Sequence, residues 1–378
     1  RRPHRPFPSL SFGPITMKKI DCYTHFASEE MVSFMEEKTG KPMVFRDLFS
    51  RIPTLTNTQA RIEMMDQYDI DAHCIIPLPW LESSPEIHAN PEWASSAARL
   101  SNVHFSRLSK EHPGRFHCAA LIPTTNAEVM MAEVEFALSE LGMAGLALFC
   151  GPTVRPLDDP FFEPLWAAAA AAGAPVWLHP CRPQFVPDYD AYRAGGSKYQ
   201  IWNTLGWIYD TSVAMVHIAQ AGVFQRHPDV KIVTHHHGGM VPFFAERFHT
   251  QAANFNDDAA FVADLAKFYC DTATFGEVPL NVRQALDFFG PDRVMFGTDS
   301  PLDMSAPGAF TTTGIACIEK LGLAEGERAK VYHRNCEALL ARKKGEGGGG
   351  GGGAGHWRRQ RRVDGPVLGA LPGAQGQG

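Results

Sequence analysis

Between Lys18 and about Lys343, short apolar runs alternate with stretches of helical apolar spacing. Near-continuous apolar runs at 18–23, 72–77, 117–122, 145–149, 175–179, 230–235, 267–271 and 293–298 predict strands buried on both faces. Between and after them, helices are predicted near 59–69, 94–112, 126–141, 160–173, 208–226, 241–253, 278–289, 307–321 and 325–342. Glycine and proline punctuate the joints, as in Pro113-Gly114, Gly173, Pro228 and Gly290-Pro291. Eight such units predict an α/β fold, a (β/α)8 TIM-like barrel with a parallel sheet enclosed by helices. Two connections, 26–58 and 180–205, read as long loops over the mouth formed by the strands' C-terminal ends.

That mouth is where such barrels carry chemistry. Four residues that bind metals readily stand at the ends of predicted strands: His25, His179, His236 and Asp299. His25 closes the run Ile20-Asp21-Cys22-Tyr23-Thr24, and Tyr23 shares its face of an extended chain. Tyrosine needs deprotonation against a pKa of about 10 to serve as a ligand, so packing competes with coordination at Tyr23. His179 ends the run Val176-Trp177-Leu178, and Asp299 follows Met295-Phe296-Gly297-Thr298. A carboxylate there can bind a metal, take a proton, or simply cap a helix. The triplet His235-His236-His237 cannot enter one site as a whole if the strand alternates. Arg46, in the first long loop, is placed to clamp a substrate carboxylate or to be an ordinary exposed arginine. Trp80 and Trp202 are candidates to wall an apolar substrate pocket, with core packing as the alternative.

Composition narrows the classes. No apolar run approaches the roughly 20 residues that span a bilayer, so no membrane partner is expected. The eight cysteines are scattered without a CxxC pair, which favours reduced thiols and a cytoplasmic protein. The net charge of −6 hides an asymmetry: without residues 1–16 and 341–378 the chain holds 25 basic and 39 acidic residues, a balance of −14. A core that acidic argues against nucleic-acid binding. Residues 1–16 lack the apolar segment of a secretory signal and read as a disordered extension. Residues 17–343 read as one barrel domain. Residues 344–378, with seven consecutive glycines and a basic cluster, read as a disordered tail.

The chain resembles the amidohydrolase-related family that includes aminocarboxymuconate semialdehyde decarboxylase. The resemblance covers about residues 18–342. Its carriers are Arg61-Ile62-Glu63-Met64-Met65-Asp66, Arg155-Pro156-Leu157-Asp158-Asp159-Pro160, Pro164-Leu165-Trp166, Leu178-His179-Pro180, Thr234-His235-His236-His237-Gly238-Gly239, and the stretch from Gly290 to Asp299. It implies a distorted barrel with one divalent metal, zinc or manganese, and non-oxidative decarboxylation of an unsaturated or aromatic acid. By motif it implies His25, His179 and Asp299 as ligands, His236 as the proton-handling residue and, more loosely, Arg46 as the carboxylate clamp. Tyr23 stands where members place His or Glu. Val230-Lys231-Ile232 and Pro242 fix that match at His236, and strand alternation is expected to turn His236 to the axis and both neighbours away. A small carboxylic acid is the expected partner and a homodimer the expected assembly. Metal-dependent hydrolysis, and a non-catalytic acid-binding barrel, are the alternatives that the residues leave open.

Overall fold

A computed structural model describes residues 17–43, 46–183, 186, 197–251, 258–273, 276–303 and 307–342; the expected N-terminal extension and glycine-rich tail lie outside these residues. Seven strands run in parallel and in sequence order: β1 (Ile20–Thr24), β2 (Ala72–Ile75), β3 (Phe116–Leu121), β4 (Gly145–Cys150), β5 (Val176–Pro180), β6 (Ile232–Thr234) and β7 (Tyr269–Cys270). Single bridges Cys270↔Val294 and Thr24↔Ser300 join an eighth segment to β7 and to β1. The chain thus closes on itself as a TIM-like barrel, and the helices predicted between the strands form its outer layer.

Side-chain alternation divides the core in two. Leu146, Leu148, Val176 and Leu178 pack outward in one cluster with helix residues such as Leu165, Trp166, Met215 and Ile218. Their neighbours Ala147, Phe149 and Trp177 belong to a second cluster with Cys22, Ala119, Leu121, Val233 and Met295. These fill the barrel interior, as the period of two requires. Trp177 spans that interior and donates from Nε1 to Cys22 O at 3.2 Å. Its ring leaves no room for a side chain at 145, where an added Cβ would lie 2.6 Å from the indole, so glycine is required there.

Two expectations are corrected. The eighth strand, predicted at 293–298, does not form a continuous ladder. Phe296 N donates to Val331 O at 2.7 Å, Gly297 N to Thr272 Oγ1 at 3.1 Å, and Thr298 N to Asp21 Oδ1 at 3.1 Å. Local side chains and a helix satisfy groups that a neighbouring strand would otherwise take. The connection 26–58, predicted as a loop, contains the helix Glu29–Thr39. Ser28 caps it by accepting from Met31 N, Gly40 ends it in the left-handed conformation, and Met31, Val32 and Met35 bury one face. Among the described residues no helix is long and apolar enough to cross a membrane. All eight cysteines are free and buried.

Candidate metal and active site

The barrel ends of β1, β5, β6, β7 and the eighth segment converge on one buried cluster. His25 follows β1 and is fixed from two sides. Its Nδ1 lies 2.8 Å from Ile76 O, and its backbone carbonyl accepts from Arg61 Nη2 at 2.5 Å. Arg61 is fully buried, and loss of solvent pulls its pKa down to about 9. His179 sits within β5, with Nδ1 2.6 Å from Pro180 O. The ring of Trp207 packs edge-on against it at 5.9 Å. Trp207 is in turn held by a hydrogen bond to Arg182 O at 3.2 Å, and Arg182 grips the buried Asp210 with two bonds of 3.0 and 3.1 Å. Asp299 has φ of 64°, a conformation that carries the chain off the line of a strand. Its Oδ1 lies 2.8 Å from His25 Nε2.

The histidine triplet does not follow strand alternation. β6 stops at Thr234, and both His236 and His237 take positive φ, 51° and 59°. Freed from the ladder, His235 turns toward the cluster rather than toward the helices. Its Nδ1 forms a short hydrogen bond with Asp271 Oδ2, and its Nε2 lies 3.3 Å from Asp299 Oδ1. His236 turns inward too, with Nε2 4.0 Å from Asp299 Oδ2. The expectation that His235 and His237 point away from the axis is therefore corrected: His235 joins the cluster, and His237 lines the cavity beside His236.

One ring nitrogen each from His25, His179 and His235 lie within 4.8 Å of one another, and the same holds for ligand atoms of His235, His236 and Asp299. All of these residues are buried. Imidazole nitrogens and a carboxylate brought together out of water are a donor set for a divalent ion, and these residues fit one. The electrostatics agree for Asp299, His179 and His236, each held in the form that can donate to a metal; at His235 a proton competes with the ion. Burial would raise the Asp299 carboxyl, but His235 and His25 outweigh it and hold it well below the usual range. Burial pulls His235 down, yet Asp271 and Asp299 outweigh that and lift it to about 9. Burial, then the charge on His235, lowers His236 to about 3. His179 falls well below its ordinary value through burial and the neighbouring imidazoles.

Of the two readings left open for Tyr23, packing and coordination, the geometry fits packing. The Tyr23 hydroxyl donates to Leu178 O at 2.6 Å, and burial, with Asp271 and Asp299 nearby, pushes the phenol well above 10. Arg46 is corrected as a carboxylate clamp. It pairs with Glu36 at 3.6 Å, lies over the Phe49 ring at 5.0 Å, and does not line the cavity. Trp80 is buried against Phe49 at 6.1 Å and is corrected as a pocket wall, whereas Trp202 does line the cavity. That cavity measures about 900 Å³, reaches His179, His236 and Asp299, and is walled largely by apolar side chains such as Leu78, Met240 and Phe310. Among the described lining residues there is no lysine or arginine. Asp271 escaped the sequence reading, although the signal was present: it follows Phe268-Tyr269-Cys270 just as Asp299 follows its own apolar run.

The family profile described as amidohydrolase matches residues 20–342. The chain belongs to the amidohydrolase family. A curated relative, the 2-amino-3-carboxymuconate-6-semialdehyde decarboxylase of Dictyostelium discoideum, is 25% identical over 314 residues, covering 76% of this chain and 82% of the relative. The gamma-resorcylate decarboxylase of Polaromonas sp. (strain JS666) is 26% identical over 342 residues, covering 85% and 98%. Among solved structures, a dihydroxybenzoic acid decarboxylase from Polaromonas sp. JS666, with bound manganese and the inhibitor 2-nitroresorcinol, superposes with a TM-score of 0.70 at 22% identity. That match covers 86% of this chain and 97% of the other. The relatives are thus decarboxylases of small unsaturated or aromatic acids, and this chain shares their family and fold.

Proposed function

We propose that the protein is a metal-dependent non-oxidative decarboxylase of an aromatic or similarly unsaturated carboxylic acid. The observation that carries this reading is the convergence of imidazoles and Asp299 at the floor of a largely apolar cavity, in a family whose curated relatives here are decarboxylases. The cavity volume of about 900 Å³ is ample for a single substituted ring. Its apolar walls suit the ring, and the end that holds His179, His236 and Asp299 suits the carboxylate and its neighbouring oxygen.

His25, His179 and Asp299 are the proposed ligands. Manganese in the Polaromonas structure and the nitrogen-rich donor set both speak for one divalent ion; we favour zinc. Bound there, the ion would supply positive charge against the substrate oxygens. No lysine or arginine stands among the described lining residues to supply that charge.

His236 lines the cavity beside Asp299 and is the proposed proton donor. A carboxylate arriving beside it favours its protonated form, against the burial that now lowers it. It hands the proton to the ring carbon that bears the carboxylate. The electron pair of the carbon–carboxylate bond then returns to the ring as CO2 departs, leaving the arene with hydrogen in place of carboxylate. Proton first, bond cleavage second, avoids a bare carbanion on an sp² carbon. Trp202 and Trp207 border the route that the ring would take.

The eight buried free thiols support a reducing compartment, the cytoplasm, and we expect a homodimer, which sedimentation would read directly. The test of function is a panel of hydroxybenzoic and muconate-like acids, with lactones and amides beside them, offered to zinc- or manganese-loaded protein. CO2 release from an acid is the expected result. Hydrolysis of a lactone or amide without CO2 release from any acid would replace the reading with a hydrolase.

A further inference from the structure

Tyr23 shares with His25 the face of β1 that meets the barrel axis, yet it offers the cluster no oxygen. Its hydroxyl is committed to Leu178 O at 2.6 Å, and its ring lies flat against His235, centroids 3.8 Å apart and planes 5° from parallel. We propose that His235, supplied from just beyond β6, is the ligand that β1 lacks. The ion is then held by His25, His179, His235 and Asp299, with Tyr23 as a neutral wall that orients the His235 ring. This rests on the metal-site reading above.

Hydrogen bonds decide which nitrogen each ring presents. Nδ1 of His25 faces Ile76 O at 2.8 Å, Nδ1 of His179 faces Pro180 O at 2.6 Å, and Nδ1 of His235 faces the Asp271 carboxylate. A ring whose Nδ1 proton is given to a carbonyl or carboxylate keeps its Nε2 lone pair for a metal. The three rings therefore turn the same nitrogen inward. His235 Nε2 is buried and makes no well-formed hydrogen bond, although Asp299 Oδ1 is 3.3 Å away. A polar atom left so inside a core is costly unless something occupies the space in front of it. Asp271 is itself held, accepting from Ala273 N at 3.0 Å and His236 N at 3.3 Å, so the ring it orients is fixed.

The cavity separates the two adjacent histidines. His236 lines it and can meet a substrate; His235 does not, and lies behind. One histidine pair thus divides the labour, His235 toward the ion and His236 toward the substrate. The kink after Thr234 is what allows both to face inward.

The experiment uses the full chain loaded with cobalt(II). His235→Cys should add thiolate-to-cobalt charge-transfer absorption in the near ultraviolet, absent from wild type and from His236→Cys. By competition with a chelating indicator, His235→Ala should weaken metal binding by at least about 100-fold, beyond the 10–100-fold typical for losing a ligand's hydrogen-bond partner. Asp271→Asn should fall inside that smaller range, and Tyr23→Phe should bind as wild type does. Should His235→Ala fail to fold, the His235→Cys spectrum decides. No new band in folded His235→Cys, undiminished affinity in folded His235→Ala, or loss of metal in Tyr23→Phe would each overturn the proposal. Wild type that takes up no metal at all would instead bring down the metal reading beneath it.

Discussion

The two sides of the barrel are built differently. From β2 to β4 the ladder is regular, and the strand ends Ile75, Leu121 and Cys150 are buried in apolar packing. From β5 round to β1 the strands shorten to three residues and then two, and the eighth segment holds only single bridges. The ends there are His179, His235, Asp271, Asp299 and His25. On this side hydrogen bonds pass to side chains: Thr298 Oγ1 donates to Asp21 at 2.5 Å, Gly297 N to Thr272 at 3.1 Å, and Ala273 N to Asp271 at 3.0 Å. Ladder regularity was exchanged for aimed polar groups. The contrast sets a regular, apolar side against an irregular side that holds the proposed chemistry, so mutations on the two should separate.

The largest effect should come from the irregular side. His179→Ala should abolish both metal retention and CO2 release, with metal content falling from about one ion per chain to none by elemental analysis. A variant that keeps its ion would mean that the cluster is held elsewhere. Next, His236→Ala should keep the ion yet lower kcat by roughly 10² or more, the scale of positioned acid–base catalysis. If turnover survives intact, the proton comes from another group.

On the regular side, Leu148→Ala removes a fully buried side chain from the outer core. Denaturant unfolding should show a loss of about 2–5 kcal/mol, while metal per folded chain stays as in wild type. A metal defect there would dissolve the division between the sides.

A pH-dependent effect concerns Glu82, in the connection after β2. Its carboxyl is buried without a hydrogen-bond partner among the described residues, and burial raises it to about 8. The unfolded chain releases this proton near pH 4.5, the folded chain only near 8. The folded state therefore holds more protons between those values, and stability falls as pH rises through that window. The contribution is whole below about 4.5, and its slope is at most about 1.4 kcal/mol per pH unit. Glu82→Gln should flatten that slope in unfolding curves taken at pH 5 and pH 7.5. A slope equal to that of wild type would mean that Glu82 ionises freely in the fold.

The same contrast explains what the sequence could and could not reveal. Near-continuous apolar runs announced the strands, because burial on both faces leaves no polar position to mislead. His25, His179 and Asp299 were legible because each closes such a run. His235 was not, because alternation holds only inside a ladder and β6 ends at Thr234, one residue before the predicted strand does. The helix Glu29–Thr39 hid among charged residues that cover its exposed face. Arg46 misled because sequence shows a guanidinium in a mouth loop but not the Glu36 that pairs with it.

The most direct measurement is decarboxylation in D2O by the metal-loaded protein, followed by mass spectrometry and NMR of the product. One deuterium is expected on the carbon that lost its carboxylate, matched by one CO2, with both abolished by chelation and strongly reduced in His236→Ala. Metal-loaded protein that releases no CO2 from any aromatic or muconate-like acid, while hydrolysing an ester or amide, would contradict the decarboxylase reading.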